Sequence, residues 1–332
     1  MLQALPSSTE LEELVEATET IRAAIERVIT GRSDLVQLTV AVLLAEGHLL
    51  LEDVPGVGKT TLAKALARSI DCTVGRIQFT PDLLPSDLTG VSIFRTQTQQ
   101  FELRRGPVFA NIVIGDEINR ASPKTQSALL ECMQETQATI DGVTHRLPRP
   151  FLVVATQNPI EMEGTYPLPE AQRDRFMARL NVGYPDRDSE LDLIDRQEVL
   201  DPLDDLRPVT DAAHIARLIA TTRRLYAAPS VKRYIVDLVR ATREDSGLRL
   251  GASPRAAIQL LRASKALAAM SGRDHVLPDD AQGLAEPVLA HRLLPSTESR
   301  LSGRTTADVV RSVVARTALP PAEAAHSRRA TG

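Results

Sequence analysis

The chain has 332 residues, of which 43% are hydrophobic, and its formal net charge is -4. This length predicts about two domains with enough apolar material for buried cores, and the small negative charge argues against nucleic acid or an acidic membrane surface as a default partner. The two cysteines lack metal-ligand spacing, the N-terminal segment is acidic, and no apolar run is long enough to span a bilayer. We therefore expect a cytoplasmic protein without membrane insertion.

An amphipathic helix is predicted over residues 8–30 from apolar residues at helical spacing, and a second helix over residues 34–45. The apolar run 49–51 then predicts a strand, and residues 62–67 predict the helix after it. A loop with two glycines, residues 53–61, lies between them. Strand, glycine-containing loop and helix in this order are typical of a phosphate-binding loop.

The residue types of this loop suit phosphate chemistry. Gly56 and Gly58 let backbone N–H groups turn toward phosphate oxygens, and the following helix adds its positive N-terminal dipole. Lys59 would reach the β- and γ-phosphates, and the Thr60 hydroxyl would ligate Mg²⁺. The full pattern has glycine where this chain has Asp53, so the motif is incomplete. The candidate nucleotide-binding residues are Asp53, Val54, Pro55, Gly56, Val57, Gly58, Lys59, Thr60 and Thr61.

Strands and helices then alternate as far as residue 182. The dipeptide Asp141-Gly142 predicts a two-residue hairpin turn, and the apolar run 112–114 predicts a fully buried parallel strand. The predicted core strands are 49–51, 75–80, 112–114, 151–155 and 179–182, with hairpin insertions at 91–103 and 138–145 and a helix at 124–135. This pattern predicts an α/β fold with an open, mostly parallel sheet covered on both faces.

The composition changes after residue 185, where the predicted strands stop and residues rich in Ala, Leu and Arg follow at helical spacing. This region predicts a second, all-helical domain of about 130 residues. The predicted division of the chain is therefore 1–186, 187–318 and a disordered tail at 319–332.

Two further positions add the chemistry of nucleotide hydrolysis, which needs a carboxylate for the metal ion and a base to orient the attacking water. Asp116 and Glu117 end the predicted buried strand, at the edge of the sheet where ligands bind in open α/β folds. Asn158 ends the next core strand, where it could hydrogen-bond the water or the γ-phosphate. We expect Asp116 to hold Mg²⁺ with Thr60, and Glu117 to act as the base.

Several longer motifs resemble the MoxR family of AAA+ ATPases. They comprise the loop at 50–60, the segments 106–111, 116–121 and 124–131, the segment from Asn158-Pro159 to 164–172, and Asp174-Arg175-Phe176. MoxR proteins commonly carry Asp-Val-Pro-Gly in the loop, so Asp53 fits the resemblance. The resemblance implies an AAA+ core, which is an αβα sandwich on a five-stranded sheet, followed by an all-α lid. It also implies ATP, Mg²⁺ and a homo-oligomeric ring, usually a hexamer.

The same resemblance assigns roles to residues outside the loop. By motif position Asn158 resembles sensor 1, Arg255 resembles sensor 2, and Arg175 resembles the arginine finger supplied to the next subunit's γ-phosphate. Arg173 and Arg179 lie nearby, and the sequence leaves open which of the three arginines faces outward. An arginine finger stabilises spread negative charge through two hydrogen bonds, so lysine would replace it poorly.

The function implied is Mg²⁺-dependent ATP hydrolysis coupled to chaperone-like remodelling or maturation of a protein client, often one with a von Willebrand A domain. A magnesium chelatase-like ATPase subunit is the nearest alternative. A nucleic-acid motor is disfavoured because the predicted hairpin tips, 96–99 and 141–142, lack basic and aromatic residues. A scaffold that uses ATP only to assemble is disfavoured by Glu117.

Overall fold

The computed structural model describes residues 4–54, 56–159, 165–184, 187–188, 191 and 202–320. Up to residue 184 the elements are α1 (Ser8–Glu26), α2 (Ser33–Leu44), β1 (Leu49–Glu52), α3 (Lys59–Ser69), β2 (Ile70–Asp71), β3 (Val74–Gln78), α4 (Pro85–Thr89), β4 (Gly90–Arg95), β5 (Gln100–Arg105), β6 (Ile112–Asp116), a 3-10 turn (Ile118–Arg120), α5 (Pro123–Glu135), β7 (Gln137–Ile140), β8 (Val143–Arg146), β9 (Leu152–Gln157), α6 (Glu170–Arg173) and β10 (Ala178–Leu180).

From residue 202 the elements are α7 (Pro202–Asp205), β11 (Thr210–Asp211), α8 (Ala212–Arg224), α9 (Pro229–Arg243), β12 (Leu248–Leu250), α10 (Pro254–Met270), α11 (Pro278–Leu289), a second 3-10 turn (Ala290–Arg292), β13 (Leu294–Pro295), α12 (Thr297–Leu301) and α13 (Thr306–Arg316). Within the described ranges, no helix combines the length and the apolar character needed to cross a membrane.

A five-stranded sheet forms the centre of the first region, in the order β10-β1-β9-β6-β3. Every neighbouring pair in it is parallel. The inner strands β6 and β9 are buried along almost their whole length, as their continuous apolar sequences predict. The predicted mostly parallel sheet of five core strands is confirmed. Because all strands run the same way, the loops after β1, β6 and β9 meet at one edge.

Two antiparallel hairpins project from this core, and both were predicted. The first pairs β4 with β5, with Phe94 opposite Phe101. The second pairs β7 with β8 around Asp141 and Gly142, whose φ angles are 50° and 78°. Positive φ at both central residues is the backbone geometry that an Asp-Gly hairpin turn requires. A short helix, α4, precedes the first hairpin.

The second region is helical, as predicted, and it forms the lid. Three very short strands are added to it: β11 pairs with β2 of the core, and β12 pairs with β13. Strands of two or three residues are too short to show a period in the sequence, so apolar spacing does not predict them. The expected tail at 319–332 lies outside the described residues except for 319 and 320.

One apolar cluster joins the N-terminal helices, the sheet and the lid. It contains Leu14 of α1, Leu43 of α2, Leu66 of α3, Leu260 of α10 and Val288 of α11. Helix α1 begins at a capping box in which Ser7 and Glu10 exchange hydrogen bonds, and it packs against α2, α3 and α10. The N-terminal helices therefore lie between core and lid and hold the lid against the core.

Candidate functional site

The loop after β1 has the backbone geometry that phosphate binding needs. Gly56 and Gly58 adopt φ angles of 84° and 90°, a region that side chains disfavour. No protein atom lies within 4 Å of where a Cβ atom would stand on either glycine, so backbone strain and not crowding selects glycine. Gly58 is followed directly by α3, whose N-terminal N–H groups and dipole favour an anion.

Lys59 and Thr60 begin α3, and their side chains contact different partners. The Lys59 ammonium donates to the backbone carbonyls of Asp53 and Val54, so it bridges the two sides of the loop. The Thr60 hydroxyl donates to Asp116 Oδ1 at 2.7 Å. The second oxygen of Asp116 pairs with Arg76 Nε at 3.1 Å. A hydroxyl and a buried carboxylate in contact are the oxygen ligands that Mg²⁺ prefers, with phosphate oxygens and waters completing its shell.

Glu117 occupies a special backbone position. Its φ and ψ are 60° and 52°, which is the left-handed region, and its N–H donates to the Thr156 hydroxyl at 2.9 Å. The carboxylate Oε2 accepts from Gln78 Nε2 at 3.0 Å and from Arg120 Nη1 at 2.9 Å. Non-glycine residues in this conformation cluster at functional sites. After this turn Glu117 lines the same cleft as the phosphate-binding loop.

These groups surround a cleft of about 350 Å³, here named the phosphate cleft. Asn158 also lines this cleft, and its backbone carbonyl accepts from Asn119 Nδ2 at 3.1 Å. The predicted residues that line the cleft are Gly56, Gly58, Lys59, Thr60, Thr61, Asp116, Glu117 and Asn158. A lysine and a helix N-terminus on one wall and two carboxylates on another fit a nucleoside triphosphate with its cation.

Three residues of the predicted loop set do not line the phosphate cleft, and a fourth is not described. Asp53 Oδ1 accepts from the Val54 N–H at 2.7 Å, and its Oδ2 accepts from the Gly183 N–H at 2.6 Å. The carboxylate thus ties the start of the loop to the chain after β10, away from the phosphates it would repel. Val57 packs against the apolar cluster. Pro55 lies outside the described residues.

Five polar residues near Asp116 and Glu117 were not predicted. Arg76, Gln78, Thr156 and Gln157 line the phosphate cleft, and Arg120 contacts Glu117 beside it. A signal existed for two of them, because the exposed positions of β3 alternate with its buried ones and carry Arg76 and Gln78 at its carboxyl end. No comparable signal marks Thr156, which is buried within an apolar strand.

Arg175 and Arg255 line a different cleft, of about 410 Å³, here named the arginine cleft. Its other arginines are Arg149, Arg223 and Arg262. Neither Arg175 nor Arg255 is among the residues that line the phosphate cleft. The structure therefore places these two predicted residues together, but separates them from the phosphate loop of their own chain.

The three candidate finger arginines differ in their contacts. Arg173 Nη2 lies 3.8 Å from Glu170 of its own helix, and Arg179 Nη1 lies 3.2 Å from Glu52 at the end of β1. Arg175 forms no salt bridge within the described part of the chain. Of the three, only Arg175 lines the arginine cleft.

A buried histidine supports the wall of the arginine cleft. Val153 N–H donates to His48 Nδ1, and His48 Nε2 lies 3.0 Å from the Met133 carbonyl, which requires the neutral tautomer protonated at Nε2. Burial lowers the pKa of His48 from 6.5 to about 4. Its edge packs on the Phe151 ring, with ring centroids 5.7 Å apart. The imidazole therefore joins β9, α5 and the start of β1 as a neutral hydrogen-bonding group.

Comparison with known proteins places this geometry in a family context. Residues 48–178 match the model of the ATPase family associated with various cellular activities, and residues 240–313 match that of the AAA lid domain. The chain is 50% identical to the uncharacterized protein YeaC of Bacillus subtilis, over 89% of this chain and 92% of that protein.

Two further relatives are informative. Chaperone MoxR1 of Mycobacterium tuberculosis is 41% identical, over 94% of this chain and 86% of that protein. The crystal structure of a candidate ATPase from Cytophaga hutchinsonii superposes with a TM-score of 0.87 at 38% identity, over 94% of this chain and 98% of that one.

Proposed function

Since the chain belongs to the MoxR family of AAA+ ATPases, we propose that it hydrolyses ATP with Mg²⁺ and uses the cycle to remodel or mature a protein client. The observation that carries this proposal is the contact between Thr60 and Asp116 at 2.7 Å, with the Glu117 carboxylate beside it in the phosphate cleft. A bound Mg²⁺ would neutralise charge on the β- and γ-phosphate oxygens.

The chain's own residues supply the remaining parts of the reaction. Gly56, Gly58 and the start of α3 would bind the phosphates through N–H groups, and Lys59 would exchange its loop carbonyls for phosphate oxygens. Thr60 and Asp116 would hold the cation. Glu117 would orient and deprotonate the attacking water once Gln78 and Arg120 release its carboxylate, and Asn158 would hydrogen-bond the same water or the γ-phosphate.

A second copy of the chain completes this proposed site. Because Arg175 and Arg255 line the arginine cleft and not the phosphate cleft of their own chain, they would act on nucleotide held by a neighbour. Each interface would then join one phosphate cleft to one arginine cleft, which is a head-to-tail contact that closes into a ring. We propose a hexameric ring, and we retain the cytoplasmic location predicted from the sequence.

For the client, the first hairpin offers a surface. Phe94 and Phe101 are 50% and 74% exposed, and their rings pack with centroids 5.3 Å apart. An exposed aromatic pair of this kind is a marker of protein interaction sites. We propose that this hairpin contacts the client, for which a von Willebrand A domain protein is the expected class.

The proposal is tested by phosphate release from the wild type, Lys59→Ala and Glu117→Gln, together with ATP binding by each. We expect Lys59→Ala to lose ATP binding, because a phosphate-binding charge is removed. Glu117→Gln should keep ATP binding and lose about 10²- to 10⁴-fold in turnover, since it removes a general base. Equal rates in all three proteins would refute the ATPase assignment, and Glu117→Gln in ATP is the form to use for capturing a client.

A second candidate, a nucleic-acid motor, gains support from the same hairpin. The hairpin tips lack basic and aromatic residues, but the strands expose Phe94 and Phe101 together with Arg95, Arg104 and Arg105. Aromatic and basic side chains are the groups that stack on bases and pair with phosphates. DNA that stimulates ATP turnover and binds with a steep salt dependence would favour this candidate over the protein client.

A further inference from the structure

The lid contains a guanidinium that is almost completely buried. Arg292, in the 3-10 turn after α11, has a side chain only 1% exposed. Its Nη1 lies 3.1 Å from Asp174 Oδ1, and its Nη2 donates to the Phe176 carbonyl, to the Met177 carbonyl at 3.3 Å and to Gln259 Oε1. Arginines are rarely buried unless they are paired, and here a carboxylate and several oxygen acceptors pair with the guanidinium.

Two other lid side chains reach the same carboxylate. Ser253 Oγ, which caps the N-terminus of α10, lies 3.1 Å from both oxygens of Asp174. Arg255 Nη1 lies 4.0 Å from Asp174 Oδ2. Burial lowers the pKa of Arg292 to about 10, so its guanidinium still carries a charge near neutral pH to meet Asp174. Three lid residues therefore converge on one core carboxylate.

The carboxylate that these lid residues contact is next to Arg175 in the chain. Asp174 directly precedes Arg175, and Phe176 directly follows it. Arg292 thus holds the chain on both sides of Arg175, through the carboxylate before it and through the backbone carbonyl after it. The segment is short, since it joins the end of α6 to the start of β10. The direction in which Arg175 leaves the backbone is consequently set from the lid.

We infer that Arg292 is a positioning residue for the neighbour's reaction: with Asp174 it fixes Arg175 and Arg255 as one unit, so that movement of the lid moves both arginines. This inference rests on the proposed function, in which both arginines serve a second subunit. A subunit with a disturbed Arg292 would keep a working phosphate cleft and fail only as the donor of arginines. That pattern separates a positioning role from general damage to the subunit.

The test uses Arg292→Lys, which keeps the charge but loses the planar fork, and Asp174→Asn, which keeps the shape but loses the charge. The matched control is Arg311→Lys, at an exposed lid arginine whose partners are Glu286 and Asp308. We expect each of the two test variants to lose about 10- to 100-fold in turnover, as displacement of a reacting group by about 1 Å can cause. Their ATP binding and the turnover of Arg311→Lys should stay within about twofold of wild type.

The decisive measurement mixes each variant with an equal amount of Lys59→Ala before nucleotide is added. Lys59→Ala offers intact arginines but no working phosphate loop, so the mixture should recover about a quarter of the wild-type rate if subunits assemble at random head to tail. Arg175→Ala mixed with Lys59→Ala is the reference, and it should recover equally. Asp174→Asn carries the test if Arg292→Lys does not fold.

The outcomes separate the inference from the proposed function. Recovery by both mixtures supports Arg292 as a positioning residue. Recovery by Arg175→Ala alone, with none by Arg292→Lys or Asp174→Asn, overturns the inference and leaves the shared site standing. Wild-type turnover by both unmixed test variants also overturns it. No recovery by Arg175→Ala overturns the shared site, and the inference with it.

Discussion

The phosphate cleft and the arginine cleft differ in how they are built. The phosphate cleft collects residues from the carboxyl ends of neighbouring parallel strands, so its geometry follows from the sheet. The arginine cleft joins Arg175 of the core to Arg255 and Arg262 of α10, and its alignment depends on how the lid sits on the core. Its support includes two buried histidines, His48 and His291, whereas none of the described residues that line the phosphate cleft is a histidine.

This difference indicates a division of labour. The phosphate cleft is placed by a rigid sheet and should change little through a reaction cycle. The arginine cleft lies across the contact between two structural units, so a small rotation of the lid changes it. If the proposed ring forms, each subunit would hold its nucleotide in the rigid phosphate cleft. Its arginine cleft, which moves with the lid, would sense or promote hydrolysis in the neighbouring subunit.

The largest expected effect concerns the arginine cleft. We expect Arg175→Ala to lose about 10³- to 10⁵-fold in turnover, because trans-acting arginine fingers stabilise transition-state charge by such factors. Arg173→Ala and Arg179→Ala, whose side chains pair with Glu170 and Glu52, are the matched controls and should lose much less. Steady-state phosphate release at saturating ATP measures all three. A larger loss in either control would move the finger to that residue.

The second prediction concerns how the free energy of unfolding depends on pH through the buried histidines beside the arginine cleft. The folded-state pKa of His48 is about 4, against 6.5 for an ordinary histidine, so between these values the unfolded chain binds a proton that the folded chain does not. The free energy of unfolding should therefore fall as pH decreases from about 6.5 to 4, by about 2 kcal/mol at pH 5 from His48 alone. Burial also lowers the pKa of His291, which acts in the same direction.

Thermal or urea unfolding from pH 7.5 to 5 measures this effect. His48→Gln should be less stable at pH 7.5 but should show a smaller loss toward pH 5, since its amide does not titrate. His275→Gln, at a histidine with a half-exposed side chain, is the control and should keep the wild-type pH dependence. An unchanged pH dependence in His48→Gln would contradict the assignment of a buried neutral imidazole.

How much the sequence predicts follows the same division between the clefts. Lys59, Thr60, Asp116 and Glu117 were predictable because each has a motif, and a motif fixes the side chain relative to a strand end. The hairpin at Asp141-Gly142 was predictable because turn chemistry is local. The placement of Arg255 beside Arg175 was not, because it depends on packing between segments about 80 residues apart. Arg292 gave no signal, since an arginine in a helical sequence is normally an exposed one.

A smaller effect is expected from the phosphate loop itself. Gly58→Ala places a side chain at a φ of 90°, which costs about 1–3 kcal/mol unless the loop shifts, so ATP affinity should fall about tenfold. Gly142→Ala is a matched control, since Gly142 has a φ of 78° at a hairpin tip with the same open surroundings. Titration with a fluorescent ATP analogue distinguishes the two. Equal affinities would mean that the loop does not need its left-handed residue to bind phosphate.

The smallest expected effect concerns the contacts that hold Glu117. Gln78 and Arg120 both donate to Glu117 Oε2, and these hydrogen bonds must break before that oxygen can contact the attacking water. We therefore expect Gln78→Ala and Arg120→Ala to raise basal turnover about two- to fivefold, a small change because the Glu117 side chain is 33% exposed and solvent screens the pairs. Arg22→Ala, which breaks a comparable pair with Glu19 on α1, is the control. A fall in turnover would instead mean that these donors aim Glu117 at the water, which would make the phosphate cleft the preassembled side of the site.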